Sequence, residues 1–203
     1  MFGNVGCTVA KKVDRRVQRT RKLLREALLS LIREKGFEGL SVQDIIDRAN
    51  VGRATFYAHF DNKEDLLLSG LEGLRSSLKE LQRQALARGG SADERLFAFS
   101  RELFDHADGH RDVFRAMAGD RSGALIRQVF HRILVDLVRG DVSAIVSRGE
   151  AGAIPADAVV QFTAGALFGL LMWWLEGRGR PGVEEIDALF RRLAIPALKA
   201  ASR

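Results

Sequence analysis

With 203 residues, 46% of them hydrophobic and 29% charged, the chain has the balance of a globular protein able to bury a sizeable core. Its single cysteine, Cys7, excludes a disulfide framework or a zinc cluster within one chain, and the opening residues lack the basic and apolar regions of a secretory signal. The longest apolar stretch, Ala164 to Leu175, is shorter than the roughly 18–20 residues that span a bilayer, so no membrane partner and a cytoplasmic location are expected.

All three prolines lie beyond residue 150, and Leu, Ala, Arg and Glu recur at helical rather than strand spacing. An all-α protein of about nine helices is predicted. The net charge of +6 is unevenly spread: residues 1–64 carry 13 Lys/Arg against 8 Asp/Glu, residues 65–203 carry 19 against 18. Lys11, Lys12, Arg15, Arg16, Arg19, Arg21, Lys22 and Arg25 face one acid, Asp14. Residues 1–14 are expected to form a disordered basic tail. A cationic segment leading into a helix suits a polyanion, although a solvated tail has the same composition.

The first helix is predicted from about Arg15 to Lys35, with Leu23, Leu24, Ala27, Leu28, Leu31 and Ile32 as its apolar stripe. Gly36 stops it in a left-handed conformation. Ser41 is placed to cap a short helix over Val42 to about Ala49, with Asp44 at its third position. Asn50 tolerates the positive φ of a sharp turn. A second short helix follows, from about Arg53 to Phe60. Phe56 and Phe60 share its inner face, and Arg53, Ala54, Tyr57 and Ala58 form an outer one. Asp61 or Asn62 caps the next helix, with Lys63 in its first turn, where a lysine and free N–H groups suit a phosphate. Two short helices joined by a tight turn, the second with a polar outer face, form a helix-turn-helix over residues 15–64.

The run from Arg21 to Leu68 resembles the DNA-binding region of the TetR/AcrR transcriptional regulators. It is carried by Gly36-Phe37, Leu40-Ser41-Val42, Ile45, Ala49-Asn50-Val51, Thr55-Phe56-Tyr57, His59-Phe60 and Lys63-Glu64-Asp65-Leu66. Two positions depart from the family pattern: Asn50 stands where Gly is commoner, and Gly52 where Ser or Thr often caps the recognition helix. The resemblance implies that Arg53, Ala54 and Thr55 face base edges, Arg53 by bridging O6 and N7 of a guanine. It further implies that Ser41, Tyr57, His59 and Lys63 meet phosphates of double-stranded operator DNA. His59 as a helix cap and Tyr57 as a packed ring are the alternatives.

Residues 65–203 are expected to form a helical effector-binding and dimerisation domain. Leu67, Leu71, Leu74, Leu78 and Leu81 extend the fourth helix to about Arg88, and Gly89-Gly90-Ser91 breaks it. Further helices are predicted over Ala92 to His106, around Val113 to Met117, and over Arg121 to Arg148. A nearly all-apolar helix from Pro155 to Gly177 and a last one over Val183 to Lys199 complete the chain. The family likeness implies a homodimer through these last two helices, with Phe162, Gly165, Gly169, Trp173, Trp174, Phe190 and Leu193 as candidate contacts. The tryptophan pair as ordinary core is the alternative. Ala164 to Leu175 also resembles the C-terminal domain of regulators near dihydroxyacetone-kinase operons.

A small-molecule effector site is likewise implied by resemblance, with Phe97, Ser100, Phe104, Phe114, Met117 and Phe130 as its candidate lining. Ser100 can instead bond its own backbone. Four histidines, His59, His106, His110 and His131, raise an enzymatic alternative. No metal, nucleotide-loop or nucleophile motif accompanies them, so no enzyme, cofactor or metal is expected. An architectural DNA binder is the other rival. The reading that results is a repressor released from a palindromic operator by an effector.

Overall fold

The computed structural model describes residues 6–88, 91–117, 121–143, 154–177 and 181–201. Among these the chain forms ten helices and no strand, in two compact units, Met1–Gly70 and Leu71–Arg203.

The first unit holds α1 (Gly6–Lys35), α2 (Val42–Ala49), α3 (Arg53–Tyr57) and the opening turns of α4 (Lys63–Arg88). α1 begins at Gly6, inside the stretch expected to be an irregular tail. Between Gly6 and Lys35 there is no proline and no further glycine to interrupt it. Leu24, Ala27, Leu28, Leu31 and Ile32 are buried, whereas Leu23 is 40% exposed and lies off the stripe assigned to it. Gly36 closes the helix at φ 72°, donating to the Ile32 carbonyl at 2.9 Å. Phe37 and Leu40 then fold inward and are buried. Arg48 clamps α2 to α1 with a bidentate pair to Glu34, at 2.6 and 2.7 Å, and a third bond to Ser30.

The second unit continues with the rest of α4, then α5 (Ala92–Arg95), α6 (Ser100–Gly109), α7 (Arg111–Met117), α8 (Arg121–Ser143), α9 (Ala156–Glu176) and α10 (Val183–Ala201). Residues 144–148, expected to finish α8, lie outside the described residues. α9 has the length and hydropathy to cross a membrane. Here its Val160, Ala164, Leu167, Leu171, Trp174 and Leu175 are buried in a core shared with α6, α8 and α10.

The single helix expected over residues 92–106 is broken in two. Phe97 sits at φ 55°, a conformation that costs a non-glycine residue about 1–2 kcal/mol. Burying its ring contributes about 1.5–3 kcal/mol. That ring is fully enclosed, edge-on to Phe190 at 5.1 Å and to Phe99 at 6.4 Å. The turn is also held by polar groups from three helices. The Phe97 N–H donates to Asp141 of α8 at 3.1 Å, and Gln82 of α4 donates to Leu137 O at 2.9 Å and bonds Asp141. Arg191 of α10 donates to Leu96 O and Asp93 O, both at 2.6 Å. The Ser100 hydroxyl, fully buried, donates to Phe97 O at 2.7 Å and lies against Asp187.

Asp141 is 3% exposed, and burial pushes its carboxyl up to about 6 against the opposing bonds from Gln82 and Phe97. A carboxyl with a raised folded-state value makes the folded state bind the extra proton, so stability falls as pH rises from about 4 to about 6. Asp141→Asn keeps an acceptor for the Phe97 N–H and removes that titration. Relative to the original chain, the variant's thermal midpoint should therefore be higher at pH 7 than at pH 4.5. A midpoint difference that stays constant across calorimetric scans over this range contradicts the assignment.

Candidate nucleic-acid interface

The site begins with the capping of α2. Ser41 adopts extended backbone at φ −101° and closes a capping box with Asp44. Its N–H donates to Asp44 Oδ2 at 2.8 Å, its hydroxyl to the same oxygen at 2.6 Å, and Asp44 N–H returns a bond to Ser41 Oγ. Lys35 pairs with Asp44 at 2.8 Å. Bonds from Lys35 and then Ser41 hold that carboxyl far below the usual range. The cap thus uses both the hydroxyl and the backbone N–H of Ser41.

Asn50 ends α2 at φ 50°, its N–H donating to Asp47 O and Ile46 O. Asparagine tolerates this left-handed geometry better than most side chains, which explains how the turn works without a glycine. Gly52 begins α3 with no side-chain cap. Thr55 and Phe56 donate to its carbonyl at 2.9 and 3.1 Å.

Phe56 is fully buried, with Phe60 beside it at 3% exposure; their centroids lie 6.1 Å apart. With that anchor set, Arg53, Ala54, Tyr57 and Ala58 are exposed, and Thr55 and His59 are half-buried. The structure therefore presents Arg53, Ala54 and Tyr57 together on one solvent-facing surface. The Arg53 guanidinium lies 5.5 Å from the Tyr57 ring centroid and donates to Gln43 Oε1 at 3.4 Å. Gln43 in turn donates to Asp47 at 2.8 Å. This Gln43 support joins residues ten apart on different helices, so no periodicity within one helix signals it. Arg21, assigned only to the basic segment, stacks over Phe60 at 5.5 Å.

Lys63 departs most from its expected role. Its ammonium donates to Phe37 O, Glu38 O and Leu40 O at 3.0, 3.3 and 2.8 Å, and it lies 4.7 Å from the centroid of the Phe37 ring. An ammonium has three N–H donors, and all three close the loop between α1 and α2. The cap of α4 falls to Asn62, which accepts from Asp65 N–H at 2.7 Å.

In the second unit Phe97, Ser100, Phe104 and Phe130 are buried at 0–1% exposure, and Phe114 packs on Phe130 at 5.7 Å. These side chains pack in or against the core of the second unit. The side chain of Met117 lies outside the described residues. Of the candidate dimer contacts, Phe162, Trp173 and Leu193 are 68%, 57% and 62% exposed, and Gly165 and Gly169 are exposed between them on α9. Trp174 and Phe190 are buried at 1% and 2%. The Trp174 indole donates to Pro181 O at 2.8 Å. Both residues belong to the core of a single chain, since enclosed side chains have no surface left for a partner. His106 and His110 stack with centroids 4.4 Å apart, and no cluster of three or more metal-ligating residues occurs among the described residues.

Residues 24–69 match the model of the family described as bacterial regulatory proteins, tetR family. An HTH-type transcriptional regulator of Bacillus subtilis (strain 168), YxbF, is 48% identical over 58 residues, which are 28% of this chain and 15% of that protein. A TetR transcriptional regulator from Streptococcus agalactiae 2603V shares the fold over 91% of this chain and 98% of its own, at 27% identity and a TM-score of 0.62. The dihydroxyacetone kinase operon activator DhaS matches over 91% and 98% of the two chains at 19% identity and a TM-score of 0.65, a likeness of fold.

Replacing Lys63 by Ala removes the three bonds its ammonium makes to carbonyls of the α1–α2 loop. It should lower the unfolding free energy of the first unit by about 1–3 kcal/mol, read as an earlier urea midpoint followed by circular dichroism. An unchanged midpoint, with affinity for duplex DNA reduced, would return Lys63 to a phosphate-binding role.

Proposed function

Because this chain belongs to the TetR family of bacterial regulatory proteins, we propose that it acts as a homodimer on a palindromic operator, repressing transcription until a small molecule binds the second unit. The observation that carries the proposal is the exposed surface of α3, with Phe56 buried behind it and Arg53 at its leading end. A helix presented this way enters a major groove by its N-terminal residues. Arg53 is the specificity residue: a bidentate contact to guanine is worth about 1–3 kcal/mol, and its exposed stack on Tyr57 only about 0.5–1 kcal/mol, so the duplex can recruit it. Ala54 and Thr55 complete the base-facing set, and Tyr57 and His59 meet phosphates. Ser41 contributes by fixing the start of α2, and the basic residues of α1 add charge along the backbone.

Two copies place two α3 helices about one duplex turn, roughly 34 Å, apart. The surface that joins them is the exposed face of α9 and α10 with Phe162, Gly165, Gly169, Trp173 and Leu193. A Cβ added at Gly165 or Gly169 would meet nothing within 4 Å in the single chain, so their smoothness serves no packing inside one copy and suits the close approach of a second. An effector that binds better to a dimer with differently spaced α3 helices lowers operator affinity in proportion to that preference. Such a regulator works in the cytoplasm, where the operator is.

Arg53→Ala should weaken binding to a selected operator by about 1–3 kcal/mol, roughly 5- to 150-fold, with a smaller effect on random duplex. Fluorescence anisotropy at fixed salt reads this directly, and unchanged operator affinity removes Arg53 from the base-reading role. Gly169→Leu should turn the dimer into a folded monomer by light scattering, with helicity kept. A dimer that persists in this variant rules out the α9 face.

A further inference from the structure

Four of the residues expected to line an effector site, Phe97, Ser100, Phe104 and Phe130, are buried in the core of the second unit. An open groove of about 370 Å³ lies between α4 and α8, lined by Lys79, Gln82, Arg83, Asp136, Arg139 and Gly140, with Leu86 and Ser143 at its end. This volume falls within the range of small-molecule sites, about 300–1,000 Å³.

We propose that this groove binds a small anionic amphiphile, a molecule with one phosphate or carboxylate head and a short apolar tail. The proposal deepens the reading of the second unit as a sensor and rests on it. The lining carries three cations and one carboxylate, and the contacts of that carboxylate fall on one of its two oxygens. Asp136 accepts from Arg75 at 2.6 and 2.9 Å and pairs with Lys79 at 2.7 Å. The acids that pair with the other two cations, Glu80 with Arg83 and Asp157 with Arg139, stand outside the lining. Side chains of Lys79, Arg83 and Arg139 are 40%, 70% and 49% exposed; Arg83 is held bidentate by Glu80, whereas exposed single pairs such as those of Lys79 and Arg139 contribute little. An arriving anion can therefore take up the remaining N–H groups of Lys79 and Arg139 without breaking a strong contact.

The apolar half of the ligand has its own wall. Leu86 is 49% exposed at the end of the groove, and Gly140 stands on the α8 side of it. The carboxamide of Gln82 lies directly over that glycine: a Cβ there would stand 3.0 Å from Gln82 Oε1. Gln82 is 8% exposed and reaches Leu137 O and Asp141 behind it. The groove floor is thus the outer end of the polar cluster that holds the left-handed turn at Phe97. A ligand pressing on Gln82 acts on the contact between α4 and α8 and on the break between α5 and α6.

The test uses the full chain with hexyl phosphate as probe, with inorganic phosphate and hexanol as its separate halves, and ionic strength held constant with potassium chloride. Hexyl phosphate should raise the thermal midpoint by about 5–10 °C at ~100 times its Kd, and inorganic phosphate or hexanol should raise it by much less. In calorimetric titration the double variant Lys79→Gln, Arg139→Gln should bind hexyl phosphate at least tenfold more weakly. Leu86→Ser, which removes the exposed apolar wall without touching a charge, should also weaken it and guards against misfolding of the double variant. The proposal is overturned if hexyl phosphate produces neither shift nor heat, if inorganic phosphate matches it, or if both variants bind it as the original chain does. Operator affinity measured without probe keeps the two readings apart: its loss in the original chain counts against DNA recognition and leaves the groove standing.

Discussion

A five-residue helix has no stability of its own, because the first turn fixes several residues for a single hydrogen bond. What makes α3 a fixed surface is the burial of Phe56, completely withdrawn from solvent and edge-on to Tyr57 at 5.4 Å. At 3.6 residues per turn, the residues two before and two after it fall on the opposite wall. Ala54 and Ala58 are those residues, and both are exposed. Small side chains there leave room for a duplex to approach, and Arg53 and Tyr57 border the gap. The loop before it is fixed by the same economy of polar groups: Asn50 turns the chain, Ser41 and Asp44 close α2, and Lys63 closes the loop ahead of Ser41.

The second unit is organised around a different constraint. Its core is dense with aromatic rings, among them Phe97, Phe99, Phe104, Phe130, Trp174 and Phe190. Seating Phe97 among them requires a backbone conformation that a helix cannot supply. The break at residues 96–99 releases peptide groups that must find partners away from water. Asp141, Arg191 and Ser100 provide them from three separate helices. Packing and polar satisfaction therefore meet at one place, and the groove over Gln82 and Gly140 opens from its outer side.

Much of this was legible in the chain itself. The stripe of α1, the cap at Ser41, the left-handed Asn50 and the inward Phe56 and Phe60 all depend on residues within about four positions of one another, where helical spacing and capping chemistry act directly. The same reasoning failed where a distant partner decided the outcome. Lys63 looked like a phosphate ligand because its local setting is a helix start, yet carbonyls more than twenty residues earlier engage its ammonium. Leu23 continued the apolar spacing and still faces solvent. Phe97 fitted an unbroken helix until Asp141 and Phe190 claimed its N–H and its ring.

An all-helical chain with a short helix-turn-helix near its start can be read from residue order alone, because periodicity, caps and turn residues are local and the chain carries them in order. Residue order also marks α9 as a helix with more apolar surface than one side can bury. Which of those apolar residues remain uncovered is settled by packing: Trp174 turns inward and Trp173 outward, although they are neighbours with the same side chain. The choice belongs to the rotation of α9 against α8 and α10, a property of three packed helices that no single stretch of sequence contains.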